Sequence, residues 1–306
     1  MLNGVMLLWF ILTVPSFLFV SIDIWRHTPE DKVLKIAFMI LTLFTGPLGA
    51  FFYVLGCREP LPGTHEEYVA TRWRQVLGST MHCAAGDGVG IIVGAAIGAV
   101  LMLSFWPGFA LEYLLGFGFG WAFFQAFAMR QMAGGSYRRS LRMTFLPELL
   151  SMNLLMAGMK VTETYGMAAW PHADDPATPT FWFVMSMALI VGFVCAYPMN
   201  WWLVSRHMKH GMLTVRPEPA AQPAMAGSMA GMTQSGTGGS GDSAMESMAG
   251  MDSMGHGAPD ATSATAEAAE SGSPSRALLA GMTVLSFAIL ALGLAVASAV
   301  ASAHPM

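Results

Sequence analysis

Apolar runs of roughly 20 residues, enough to cross a hydrocarbon core as an α-helix, recur along this chain between short polar breaks. The pattern predicts seven spans, at about 2–22, 33–56, 80–104, 109–130, 143–162, 181–204 and 277–300. The fifth is the most polar, holding Glu148, Ser151, Asn153 and Lys160 after Pro147. Pro198 interrupts the sixth and predicts a kink, because it frees a backbone carbonyl. Between the second and third runs, Thr64 and Glu67 have capping-box spacing, which predicts a short interfacial helix over 64–76. The chain turns apolar at once, without a basic preface or a small-residue cleavage site before Asp23, so the first run reads as a retained helix.

Composition agrees with the pattern. The chain is 54% hydrophobic and 11% charged, with a mean hydropathy of +0.52, whereas soluble domains carry about 25% charged residues. The expected fold class is an all-α integral membrane protein in a lipid bilayer, of the bacterial inner membrane. A six-helix unit over 1–212 precedes a linker over 213–276 and a seventh helix over 277–300. The net charge of −4 gives no footprint for nucleic acid. Cys57, Cys83 and Cys195 are far apart and imply no disulfide framework.

Basic residues set the expected orientation. Arg58, Arg72 and Arg74 follow the second run, Arg130, Arg138, Arg139 and Arg142 the fourth, and Arg206, Lys209 and Arg216 the sixth. With seven crossings this puts the N-terminus and the linker in the cytoplasm, although Arg26 and Lys32 then fall in an outer loop. The loop with His172, Asp174 and Asp175 falls outside.

The third run is the most patterned. Gly86, Gly90, Gly94 and Gly98 recur every four residues, which strips one helix face of side chains and lets a neighbouring backbone approach. His82 continues that stripe, and Cys83 and Asp87 lie on an adjacent face. Ionisable groups at membrane depth are costly and mark function or pairing. The functional reading is a metal or proton site with His82 and Cys83 as ligands and Asp87 as ligand or orienter; the plainer one is helix capping at the interface. In the fifth run Glu148, Met152 and Met156 follow at intervals of four, with Met159 and Glu163 beyond, and could accept a cation or simply fill the core. Asn200, among Tyr197, Pro198, Met199, Trp201 and Trp202, reads as an interhelical hydrogen-bonder in an aromatic belt.

The linker has a chemistry of its own. From 217 to 275 it contains no Lys, Arg, aromatic residue, Leu, Ile or Val, so it cannot bury enough surface to offset chain entropy and is expected to be disordered. It nevertheless carries Met225, Met229, Met232, Met245, Met248, Met251 and Met254, with His256 close behind, and repeats Ser-Met-Ala-Gly-Met twice. Thioethers without a core to fill are soft donors that select Cu(I). A cytoplasmic linker would have to compete with cellular thiols for that ion.

The segment Met81-His82-Cys83-Ala84-Ala85-Gly86-Asp87 resembles the His-Cys-x-x-Gly signature of an uncharacterised bacterial membrane family, the domain of unknown function DUF4396. The resemblance extends to 148–153 and to 198–203, covering about 75–210. In that family a second Cys often stands where this chain has Asp87, so a two-thiolate site is not implied here. The resemblance singles out His82, Cys83, Asp87, Glu148 and Asn200 without naming a reaction.

Together these features point to copper or other soft-metal handling, with Cu(I) captured by the linker and stored, sensed or passed on by the polar cluster. No nucleophile–base pair, phosphate loop or complete metalloenzyme ligand set is visible, so no enzyme is expected. The rival readings are a transporter or channel for another small solute, and a scaffold whose glycine stripe docks a membrane partner subunit.

Overall fold

A computed structural model describes residues 2–130, 133–211 and 274–303. The described elements are helical. They are α1 (Leu2–His27), α2 (Lys32–Thr45), α3 (Pro47–Gly56), α4 (His65–Val69), α5 (Arg72–Val100), α6 (Phe105–Gly118), a π-helical segment (Phe119–Gln125), α7 (Ala126–Ala128), α8 (Tyr137–Ala169), α9 (Pro179–Ser205) and α10 (Arg276–Ala303). Among the described residues, four helices are long and apolar enough to cross a membrane: Gly4–His27, Arg72–Val100, Pro179–Ser205 and Arg276–Ala303. Exposed Leu7, Leu8, Ile11, Leu18 and Ile22 along α1 suit a lipid surround.

The predicted second span is not one helix. It breaks at Gly46, whose φ of 55° favours glycine, and Pro47 then starts α3. The two arms fold back on each other. The Phe38 and Tyr53 rings lie 5.7 Å apart, and a Cβ at Gly49 would lie 2.7 Å from Thr42 Cα. The apex reaches Thr13, midway along α1. The far end of α3 returns to the end of α1, where Tyr53 donates to Asp23 at 2.7 Å and Arg58 pairs with the same carboxylate at 2.7 Å. Arms of 14 and 10 residues measure about 21 and 15 Å at 1.5 Å per residue, short of a hydrocarbon core of about 30 Å. The 33–56 run is therefore two short helices folded into a hairpin, not the single spanning helix predicted for it.

The interfacial helix predicted over 64–76 is also shorter. Thr64 does not cap it but donates to the Leu61 carbonyl at 2.8 Å, and α4 ends at Val69. The chain then enters α5 from the same end as the hairpin.

Helices α5, α6, α8 and α9 form the core. Along α5 and α6 the partners run in opposite order: Gly86 with Gly120, Gly90 with Gly116, Gly94 with Glu112, Gly98 with Gly108. The α8–α9 pair is antiparallel too, through Ser151–Asn200, Gly158–Gly192 and Gly166–Val184. The last helix, α10, runs alongside α8 in the same direction, with Ser286 against Asn153 and Gly293 against Ala157. Helix α9 continues through Pro198.

Candidate functional site: a buried thiol–carboxylate–lysine cluster

The glycine face of α5 brings α6 against it. A Cβ at Gly94 would lie 2.7 Å from Glu112 Cα, and one at Gly90 would overlap the Leu115 carbonyl. Gly86, Gly90, Gly94 and Gly98 are thus covered within the chain. The adjacent face of α5 carries Cys83 and Asp87 toward α8. Three ligand atoms, one each from Cys83, Asp87 and Glu148, lie within 4.8 Å of one another, and all three residues are buried. The Cys83 thiol donates to Glu148 Oε2 at 3.1 Å. Neither oxygen of Asp87, nor Oε1 of Glu148, meets a hydrogen-bond donor.

A fourth member was not anticipated. Lys209, four residues beyond α9, turns inward and is only 3% exposed. Its ammonium pairs with Glu148 Oε2 at 2.8 Å and donates to Cys83 Sγ. Burial lowers the Lys209 pKa, but Cys83 and Glu148 outweigh it and hold the group above the ordinary lysine range. The sequence reads Lys209 as one of several cytoplasmic bases. Its nearest signal was its place just inside the end of the family-like segment.

The π-helical turn fits around this centre. A side chain at Gly120 would collide with the Asp87 carboxylate, and Phe124 and Gln125 face His82. Such irregular turns are frequent at functional sites. His82 is set apart from the three-ligand group. It lies edge-on to Phe124 at 5.5 Å, its Nε2 has no partner, and it lines a cavity of about 380 Å³ with Glu30, Ser79, Gln125, Arg130 and His210. Met152 and Met156 are fully buried in the core. The Met152 methyl comes close to Gly116 beside the Asp87 carbonyl, and Met156 belongs to the hydrophobic core. Asn200 accepts from Ser151 at 3.1 Å. Met225, Met229, Met232, Met245, Met248, Met251, Met254 and His256 lie outside the described residues.

Farther along α8 stands a second ionic group. Lys160 pairs with Glu112 at 2.7 Å and Glu163 at 3.0 Å, all buried. Tyr113 donates to Asn153 at 2.7 Å, and Asn153 donates to Ser286 at 3.2 Å. Glu112 escaped sequence reasoning because it sits alone in an aromatic-rich run.

The fold and site define an all-helical membrane protein with ionisable groups buried between its helices. Residues 72–209 match the family model described as a domain of unknown function, DUF4396, and the match takes in α5 to α9 and all four members of the buried cluster. No curated protein and no solved structure matches the chain.

Proposed function

We propose that this protein handles a soft metal cation in the membrane, with Cys83, Asp87 and Glu148 as its intramembrane binding centre and Cu(I) as the ion. One observation carries the reading. Asp87 is fully buried and neither of its oxygens has a donor, while a thiol and a second carboxylate stand within ligand distance. Two carboxylates face one lysine, so with the thiol protonated the centre needs one more positive charge, a proton or a cation, and where Cys83 ligates Cu(I) as a thiolate one carboxylate keeps a proton. Cys83 makes a thiophilic ion the better match, with the nearby Met152 thioether of the same character. The Met-rich stretch 225–256 would capture the ion.

The sidedness proposed here differs from the seven-span reading. With the hairpin re-entrant, Arg26, Lys32, Arg58, Arg72, Arg130, Arg138 and Arg206 gather at one end, and the opposite loop holds His172, Asp174 and Asp175. The positive-inside rule supports a cytoplasmic location for the basic end, an N-terminus outside, and a linker leaving on the cytoplasmic side.

Anaerobic Cu(I) titration of the purified full-length protein tests the reading. The copper-to-protein ratio falls on deleting 225–256, and falls separately for Cys83→Ser and Asp87→Asn. Uptake unchanged in Cys83→Ser and Asp87→Asn removes the intramembrane centre, and no uptake by the wild type removes the function.

The Glu112–Lys160–Glu163 group favours a second reading, proton-coupled passage of a small solute, because it contains no sulfur. Under that reading Glu112→Gln abolishes transport in proteoliposomes while copper binding persists. The scaffold reading has less support, since α6 occupies the glycine stripe.

A further inference from the structure

We propose that Glu30, Cys57 and His65 form a second metal site, selective for a zinc-class divalent cation, where the re-entrant hairpin returns to the end of α1. The site lies outside the family-matched domain and uses none of the residues assigned to the copper centre.

Three separate stretches build it. Glu30 comes from the turn between α1 and α2, Cys57 from the end of α3, and His65 from the start of α4. One ligand atom from each falls within 4.8 Å of the others, and all three residues are buried. His65 Nε2 is 2.9 Å from Glu30 Oε1. Tetrahedral bonds of about 2.0–2.3 Å place ligand atoms roughly 3.3–3.7 Å apart, so small side-chain shifts complete the geometry. A second observation points independently to a ligand. The His65 side chain is wholly buried, yet its Nδ1 has no partner. Whichever tautomer it adopts, one polar ring atom stays unsatisfied unless an ion or another group is bound.

Charge and access select the ion. Lys35 faces Cys57, Glu30 and Asp31. With the thiol ionised, those three negative charges balance one ammonium and one divalent cation, whereas a monovalent ion leaves a negative charge buried. Thiolate, imidazole and carboxylate together suit zinc. Glu30 and Asp31 also line the 380 Å³ cavity at the basic end, which gives an ion a route as far as Glu30. On binding, Cys57 loses its thiol proton to solvent and its sulfur ligates as thiolate. The ion then ties the returning hairpin to the α1–α2 turn and α4.

The test strips the full-length protein in detergent with a chelator, then titrates it with Co(II) and afterwards Zn(II). The wild type should develop thiolate-to-cobalt charge-transfer absorption that Zn(II) removes. Cys57→Ser should lose the band while Cys83→Ser keeps it, which separates this site from the copper centre. His65→Gln should weaken Co(II) binding by about 10–100-fold, the scale seen on disturbing a ligand shell. In the wild type, Zn(II) should raise the thermal midpoint and protect Cys57 from alkylation during partial unfolding. A wild type that shows neither the band nor Cys57 protection overturns the proposal, as does a band that survives Cys57→Ser.

Discussion

Lys209→Met tests whether the buried cluster is an ionic unit. Lys209 is 3% exposed and Glu148 fully buried, with 2.8 Å between Nζ and Oε2. Replacing the ammonium by a thioether of similar length keeps the volume but leaves two carboxylates without their cation. Breaking one partner of a buried pair costs about 3–5 kcal/mol, a shift of roughly two to four powers of ten in the folded-to-unfolded ratio at about 1.4 kcal/mol per tenfold. Because the pKa of Lys209 is raised on folding, its contribution is complete below the ordinary lysine value and fades only as pH rises through the higher folded one. Neutral pH therefore measures it in full. The assay is reversible unfolding in mixed micelles, run as a cycle with Glu148→Gln. Glu148→Gln also removes the charge that Lys209 offsets, so the double variant should cost clearly less than the sum of the singles. A Lys209→Met cost below about 1 kcal/mol, the scale of a surface pair, or strictly additive singles, would falsify the ionic-unit argument.

Other consequences follow from single contacts. Gly94→Leu forces a side chain into Glu112 Cα, which a Cβ already approaches to 2.7 Å; overpacking of this kind costs about 1–3 kcal/mol, read as a lower thermal midpoint, while Gly118→Leu, with open space around it, should be near neutral. Asn153→Leu removes the hydrogen bonds to Tyr113 and Ser286 and should cost about 1–3 kcal/mol, with faster proteolysis at the start of α10 as a second readout. Arg26→Cys and Leu61→Cys, on opposite ends of the hairpin sequence, should react with an impermeant maleimide from the same side of the membrane as Arg138→Cys; labelling of the first two from opposite sides would show that the hairpin crosses.

Much of the core was legible because it depends on local pattern. Glycines every four residues on α5 specify a bare face, and α6 lies on it. Cys83, Asp87 and Glu148 stood out because charge inside apolar runs is expensive, and they meet. His82 was grouped with them by sequence adjacency, but a helix advances about 100° per residue, which turns its ring toward Phe124 and the cavity. Lys209 could not be read as buried, because only the tertiary path after α9 folds it back to Cys83 and Glu148. The Glu30–Cys57–His65 group was invisible for a similar reason: its members are spread over 35 residues and meet only once the hairpin returns.

That hairpin is where hydropathy alone misleads. A window sees a largely apolar run of 24 residues and cannot distinguish one crossing from a descent and a return. The distinguishing details are local. Gly46 permits a backbone turn that few residues adopt, and Pro47 starts a new helix. Thr42 and Thr45 satisfy their hydroxyls on carbonyls one turn back, at 2.7 and 2.6 Å, so the apex brings no unpaired hydroxyl from either residue into the bilayer. At the open end, Asp23 holds Tyr53 and Arg58, clamping the return to α1. In the sidedness proposed above, the parity of crossings changes, and with it the side of everything upstream. Under the proposed sidedness Arg26 and Lys32 join the other bases at one end, the distribution that the positive-inside rule favours over one with two of them in an outer loop.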